Sequence, residues 1–244
     1  MNKKILYVLI PVLILVTLFF GTKGFGTLDN QNTTEPEQII ETQNETQTQS
    51  QNETQNTYDY MVFVSKQNKL PDDWEEKVVL EEAVNKYGET KLVEEKALEQ
   101  FLKLQEEVAK EGIDMQLDST YRSVKEQQEL WDEWTIEYGE DYVKTYVAVP
   151  GYSEHHTGLA IDVCLDIDGK RVDDNDDMIA EKEIFEKIWA HLADYGFILR
   201  YPEGKEDITG YGFEPWHFRY IDDVEAAKEI MEKGITLEEY LNRQ

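Results

Sequence analysis

Residues 27 to 58 limit what this chain can fold into. The stretch TLDNQNTTEPEQIIETQNETQTQSQNETQNTY is dominated by Gln, Asn, Thr and Glu and contains no Lys or Arg. It has too few apolar side chains to offset the entropy lost on ordering. We read it as a flexible linker, so packed structure must lie to either side of it. On its N-terminal side, Ile5 to Phe20 reads ILYVLIPVLILVTLFF and is unbroken by charge. A run apolar on every face does not suit a buried core helix beside a polar tract. It reads as a signal sequence or signal anchor, with Gly21, Thr22 and the Lys23 stem extending a slightly short span. No small-x-small cleavage site follows and no Cys sits behind the run, so an uncleaved anchor over 1–26 is expected, with a cleaved signal and a secreted domain as the alternative. Lys3 and Lys4 precede it, which places the remainder of the chain outside the membrane.

The third segment, 59–244, is expected to be the folded domain. The 244-residue chain carries 52 acidic and 24 basic residues, a formal net charge of −28. A nucleic-acid partner needs clustered Lys and Arg, so that class is excluded. A solvated acidic surface is the simpler reading, and we expect a monomer. The single cysteine, Cys164, cannot form an internal disulfide and lies in the apolar run 159–165, so it reads as a core residue.

Periodicity predicts a short strand at Met61–Val64 and a helix carrying Leu92, Val93, Ala97, Phe101, Leu104 and Val108, ended by Gly112. Strands follow at 115–121 and 159–165, with a helix at 124–138 between them. A helix at 184–195, closed by Gly196, precedes strands at 197–201 and 216–220. Helices at 224–233 and 237–243 finish the chain. The irregular interleaving, without a βαβ rhythm, favours an α+β fold with a small antiparallel sheet flanked by helices.

Four histidines occur: His155, His156, His191 and His217. In Gly151-Tyr-Ser-Glu-His-His-Thr-Gly-Leu-Ala-Ile-Asp162, an imidazole and a carboxylate stand seven residues apart, with Gly158 at a turn into a strand. Glu214-Pro215-Trp216-His217 follows later. Imidazole and carboxylate suit zinc, and three protein ligands leave a fourth position for water, the plan of a catalytic site. Here His156 remains an alternative to His155. A water at such a metal needs a base, and Glu214, three residues from a ligand, supplies one. Arg122, at a strand end, offers a donor for a developing oxyanion or a grip on a free carboxylate. His191 lies mid-helix and reads as structural.

At these residues the sequence resembles the zinc D-Ala-D-Ala carboxypeptidases of the VanY type, with their L,D-carboxypeptidase relatives. The pattern S-x-H-x-x-G-x-A-x-D is matched by Ser153, His155, Gly158, Ala160 and Asp162, and E-x-x-H by Glu214 and His217. Tyr121, Arg122, Ser123 and Gln127 match a Tyr-Arg-Ser-x-x-x-Gln stretch. The resemblance implies zinc on His155, Asp162 and His217, with His155 preferred to His156 by its distance from Gly158 and Asp162. It implies Glu214 as general base and Arg122 polarising the scissile carbonyl. Ser153, Gln127 and Tyr121 would bind substrate. It also implies the compact fold shared by Hedgehog-type and D-Ala-D-Ala peptidases, here behind an N-terminal transmembrane helix. The expected activity is removal of the terminal D-Ala from a peptidoglycan stem peptide, by a domain that faces the wall from its membrane anchor. L,D-carboxypeptidase action on tetrapeptide stems, D,D-dipeptidase action, a non-catalytic wall-binding module and a Hedgehog-like signalling domain are the alternatives.

Overall fold

A computed structural model describes residues 58–242. The expected anchor over 1–26 and the linker lie outside the described residues, except for Tyr58. That residue belongs with the domain: its hydroxyl donates to the Thr157 carbonyl at 2.7 Å and its ring packs on Trp74. No helix among the described residues is long and apolar enough to cross a membrane.

The fold is α+β. A five-stranded antiparallel sheet is built from β3 (Asp114–Leu117), β4 (Ala160–Ile167), β5 (Lys170–Val172), β6 (Phe197–Tyr201) and β7 (Glu214–Tyr220), in the order β3-β4-β7-β6 with β5 also paired to β4. A separate hairpin joins β1 (Leu80–Val84) to β2 (Thr90–Glu94). The helices are α1 (Glu95–Ala109), α2 (Val124–Tyr138), α3 (Glu140–Tyr146), α4 (Asn175–Ala180), α5 (Lys182–Leu192), α6 (Glu206–Thr209), α7 (Val224–Lys233) and α8 (Leu237–Tyr240).

Side chains alternate across a strand, and that alternation divides the two faces of the sheet. Ile161, Val163 and Leu165 of β4 and Phe218 of β7 enter the main core, which also holds Phe101 and Leu104 of α1 and Phe185 and Ile188 of α5. Ile198 of β6 points the other way, into a second cluster with Ala227 and Ile230 of α7 and Leu237 of α8. Asp162 and His217 occupy the parity opposite Ile161 and Phe218, so they leave the main core and face the cleft. Cys164 is buried with a free thiol, as expected.

Two expectations need correction. Residues 61–64 form no strand, only a turn near an isolated bridge between Ser65 and Asn68. The Arg219 guanidinium donates to the carbonyls of Tyr60 (3.0 Å) and Val62 (2.7 Å), so a side chain satisfies them in place of a sheet partner. Leu92 and Val93 belong to β2 and not to a helix. Helix α1 begins after Glu94, whose carboxylate caps the Ala97 amide at 2.9 Å. The hairpin turn was equally unforeseen: the buried Asn85 accepts from the amides of Tyr87 and Glu89 and donates to the Leu117 carbonyl.

Candidate metal centre and active-site cleft

Three pieces of backbone converge on one point. The first is a 3-10 turn, Glu154–Thr157, begun by Ser153, whose hydroxyl accepts from the His155 amide at 3.4 Å. Gly158 ends it with φ +74°, a left-handed conformation that turns the chain into β4. The second and third pieces are β4 and β7, in which Asp162 and His217 are register partners. Residues directly opposite on one face have neighbouring side chains. The hairpin register therefore places a carboxylate beside an imidazole, and the turn swings His155 over both.

Each imidazole is oriented by a partner on its far nitrogen. Nδ1 of His155 donates to the Thr120 carbonyl at 2.8 Å, which leaves Nε2 3.2 Å from Asp162 Oδ2. Nε2 of His217 lies 3.4 Å from Glu154 Oε2, which leaves Nδ1 2.7 Å from Asp162 Oδ1 and 3.7 Å from Glu214 Oε2. These tautomers are assigned from the partners, a carbonyl and a carboxylate that only accept. Ligand atoms of His155, Asp162 and His217 all lie within 4.8 Å of one another. Asp162 Oδ1 is buried and makes no hydrogen bond among the described residues, despite its close approach to His217.

The electrostatics suit a cation. Burial alone would lower the His217 pKa, but Asp162, Glu154 and Glu214 outweigh it and push it up to about 10. Burial likewise works against the Asp162 charge, yet the two imidazoles hold that carboxyl well below its usual range. Burial pushes Glu214 up to about 7, helped by Asp162 and Glu154 and opposed by His217. Positive charge is stabilised at the centre of this group, and the donor set of two nitrogens and one carboxylate fits zinc. His156 stands apart: Nδ1 donates to the Arg122 carbonyl at 2.6 Å and Nε2 accepts from the Gly151 amide at 3.0 Å. Both of its nitrogens serve the loop. His191 pairs with Glu111 at 2.6 Å on the surface, an acidic partner that its own helix does not reveal.

A cleft of about 270 Å³ opens over the three residues, lined also by Arg122, Gln127, Ser153, Glu214 and Trp216. Arg122 donates to Ser119 Oγ at 2.8 Å and to Gln127 Oε1 at 2.9 Å, and Gln127 donates to the Ala148 carbonyl at 2.8 Å. Gln127 thus braces Arg122 within the cleft. Tyr121 is not among the cleft-lining residues; it lines an adjoining groove with Leu92 and Glu126. Glu214 reaches the cleft through an irregularity. Leu199 pairs with Phe218 and Tyr201 with Glu214, so three residues of β7 stand opposite one of β6. Such a bulge re-aims a side chain, here one that strict alternation would have sent to the core face.

One further residue went unread in the sequence. Glu154 is buried behind His217 and is contacted by Arg200 and Arg219. Its signal in the sequence is slight: a Glu inside the histidine motif looks like any loop acid.

The fold and cleft fit a hydrolase whose His155, Asp162 and His217 could hold a metal ion, and comparison with known proteins names the family. Residues 90–223 match the family model for VanY, D-alanyl-D-alanine carboxypeptidase, and the chain belongs to that family. It is 42% identical over 151 residues to the bifunctional D-Ala-D-Ala dipeptidase and D-Ala-D-Ala carboxypeptidase VanXYC of Enterococcus gallinarum, covering 56% of this chain and 76% of the relative. A mutant of the vancomycin-resistance D,D-pentapeptidase VanY from a VanB-type cassette, in complex with Zn(II), superposes with TM-score 0.61 at 31% identity, over 75% of this chain and 99% of that one. The LD-carboxypeptidase LdcB superposes with TM-score 0.65 at 32% identity, over 78% and 88%.

Proposed function

We propose that the chain removes the terminal D-Ala from peptidoglycan stem peptides, with zinc held by His155, Asp162 and His217. The observation that carries this is the convergence of those three side chains with Glu214 in one cleft, 3.7 Å separating Glu214 from the His217 ligand nitrogen. The Zn(II) complex of the VanY structure supports the choice of metal. When bound, zinc supplies Lewis acidity and a more acidic water.

The protein groups act around that centre. Glu214, with its raised pKa, accepts a proton from the attacking water and returns it to the leaving amine. Arg122, braced by Ser119 and Gln127, presents a fixed positive charge to the oxyanion that develops on the scissile carbonyl. Ser153 and Gln127 line the cleft where the peptide end would lie. Tyr121 would contribute from the adjoining groove. An acidic surface and a polar linker behind an N-terminal anchor suit a monomeric domain working in the wall just outside the membrane.

The test is incubation of the chain with pentapeptide and tetrapeptide stems, with and without a chelator, read by mass spectrometry. Release of one D-Ala from the pentapeptide, abolished by chelation and restored by zinc, is the expected result. The likeness to LdcB supports a second reading, L,D-cleavage of tetrapeptide stems. A tripeptide product from the tetrapeptide would favour it, and hydrolysis of free D-Ala-D-Ala to two D-Ala would indicate dipeptidase action. Unchanged pentapeptide and tetrapeptide stems, with zinc bound, would refute both carboxypeptidase readings.

A further inference from the structure

Glu154 takes no part in the chemistry just described, yet its carboxylate is central to the charge arrangement beneath the site. Its side chain is 1% exposed. Oε1 accepts from Arg200 Nε at 2.8 Å and Arg219 Nη1 at 3.0 Å, and Oε2 faces His217 Nε2 at 3.4 Å. Arg200 then grips Glu238 of α8 with both terminal nitrogens, at 2.8 and 2.7 Å. Two buried acids and two buried arginines make a neutral set. Such sets are poor evidence for stability, because well-packed apolar residues often serve as well. What apolar residues cannot do is aim an oxygen at an imidazole.

That oxygen has a chemical consequence. A carboxylate held ionised by two guanidiniums can only accept a hydrogen bond. The proton of neutral His217 must then sit on Nε2, and the lone pair on Nδ1, the nitrogen that faces Asp162 and Glu214. Tyr201 packs against the same ring, 4.7 Å between centroids, and limits its tilt.

We propose that Glu154 is a positioning residue for the metal centre: it selects the His217 tautomer and ring angle that present Nδ1 to a divalent cation. The proposal rests on the reading of His155, Asp162 and His217 as ligands. Glu154→Gln is the informative change. The two guanidiniums would draw the amide oxygen and turn its NH2 toward His217, which favours the tautomer with the proton on Nδ1. That tautomer cannot bind metal through Nδ1.

The test uses the full chain and measures zinc affinity by competition with a chromophoric chelator, together with thermal unfolding of the metal-free protein. Removing the hydrogen-bond partner of a ligating histidine costs about 10–100-fold in metal affinity, and that loss is expected for Glu154→Gln. Glu238→Gln is the control: it disturbs the same buried set and lowers the metal-free melting temperature, yet leaves the oxygen on His217 and should leave zinc affinity within about threefold of wild type. Equal zinc affinity in Glu154→Gln and wild type would overturn the proposal. So would an equal loss in both variants, since affinity would then track the integrity of the set. If Glu154→Gln fails to fold, 15N NMR of the histidines in the zinc-loaded wild-type chain decides. His217 protonated on Nε2 supports the proposal, and protonation on Nδ1 overturns it. A wild-type chain that binds no zinc would instead overturn the ligand reading itself.

Discussion

Replacing Gly158 by alanine separates two demands that the turn between His155 and Asp162 places on the backbone. The φ of +74° costs an L-residue about 1–2 kcal/mol wherever it occurs. A Cβ at this position would also lie 3.0 Å from Leu80 Cδ2, 3.1 Å from Val78 Cγ2 and 3.4 Å from Glu94 Cβ. Crowding into a packed site adds about 1–2 kcal/mol, at the lower end for overpacking because two of the neighbours are side-chain tips. The total is about 2–4 kcal/mol, which for a domain of this size lowers the melting temperature by about 4–16 °C. Gly112 provides the comparison. Its φ is +82°, and a Cβ there meets nothing within 4 Å, so Gly112→Ala should lose only the backbone share, about 2–8 °C. Thermal unfolding of the metal-free chain, followed by circular dichroism, measures both. Equal losses would mean that the contacts to Leu80 and Val78 are slack. No loss in either would refute the left-handed backbone argument altogether.

Further outcomes follow from the same geometry. Glu214→Gln should keep zinc affinity while lowering kcat by about 10²–10⁴, the usual contribution of a positioned acid–base group; a kcat within threefold of wild type would remove Glu214 from the mechanism. Zinc at about 100 times its Kd should stabilise the wild-type chain by about 2.7 kcal/mol and raise its melting temperature by about 5–11 °C, and Asp162→Asn should erase that rise. An equal rise in the variant would place the metal elsewhere. Arg171, with Asn85 and Lys91, holds Glu89 at about 2, below its ordinary 4.5. A depressed carboxyl stabilises above its unfolded value, so this contribution is lost as pH falls from about 4.5 toward 2. Glu89→Gln should flatten that part of the acid-unfolding curve, modestly, because Glu89 is 40% exposed and salt screens it. Superimposable curves would dismiss the effect.

The parts of this protein legible in its sequence are those governed by local rules. Helix α2 begins where Ser123 and Glu126 form a capping box, and both residues stand in plain view three apart. Gly196, left-handed at φ +74°, closes the helical segment before β6 as its position suggested. That His155, Asp162 and His217 belong together was legible because two short motifs carry them, and the fold brings the three side chains to one point. What stayed hidden depends on contacts distant in the chain. The segment at 61–64 looked like a strand because its residues are apolar, but Arg219, more than 150 positions away, takes the carbonyls of Tyr60 and Val62. Glu154 is the same case: its neighbours Arg200, Arg219 and Glu238 come from three later elements, and nothing in the spacing brings them together. Gln127, matched to a substrate role, is engaged at both ends of its amide by partners that the fold brings to it.

The arrangement of strands explains why the site tolerates an irregular sheet. Asp162 and His217 are opposed in the well-ordered β4–β7 ladder, so the distance between them is a property of register. A slip of one residue would send Asp162 into the main core and bring Ile161 to the cleft, a cost no neighbouring group could offset. The bulge lies on the other edge of β7, against β6, where Leu199 and Tyr201 span the extra residues. Pro215 sits within it and lacks an amide to donate, so the loss of pairing there leaves fewer groups unsatisfied. The two edges of β7 therefore do different work. The ordered edge fixes the Asp162–His217 pair, and the bulged edge frees Glu214 to approach that pair from a position that strict alternation forbids.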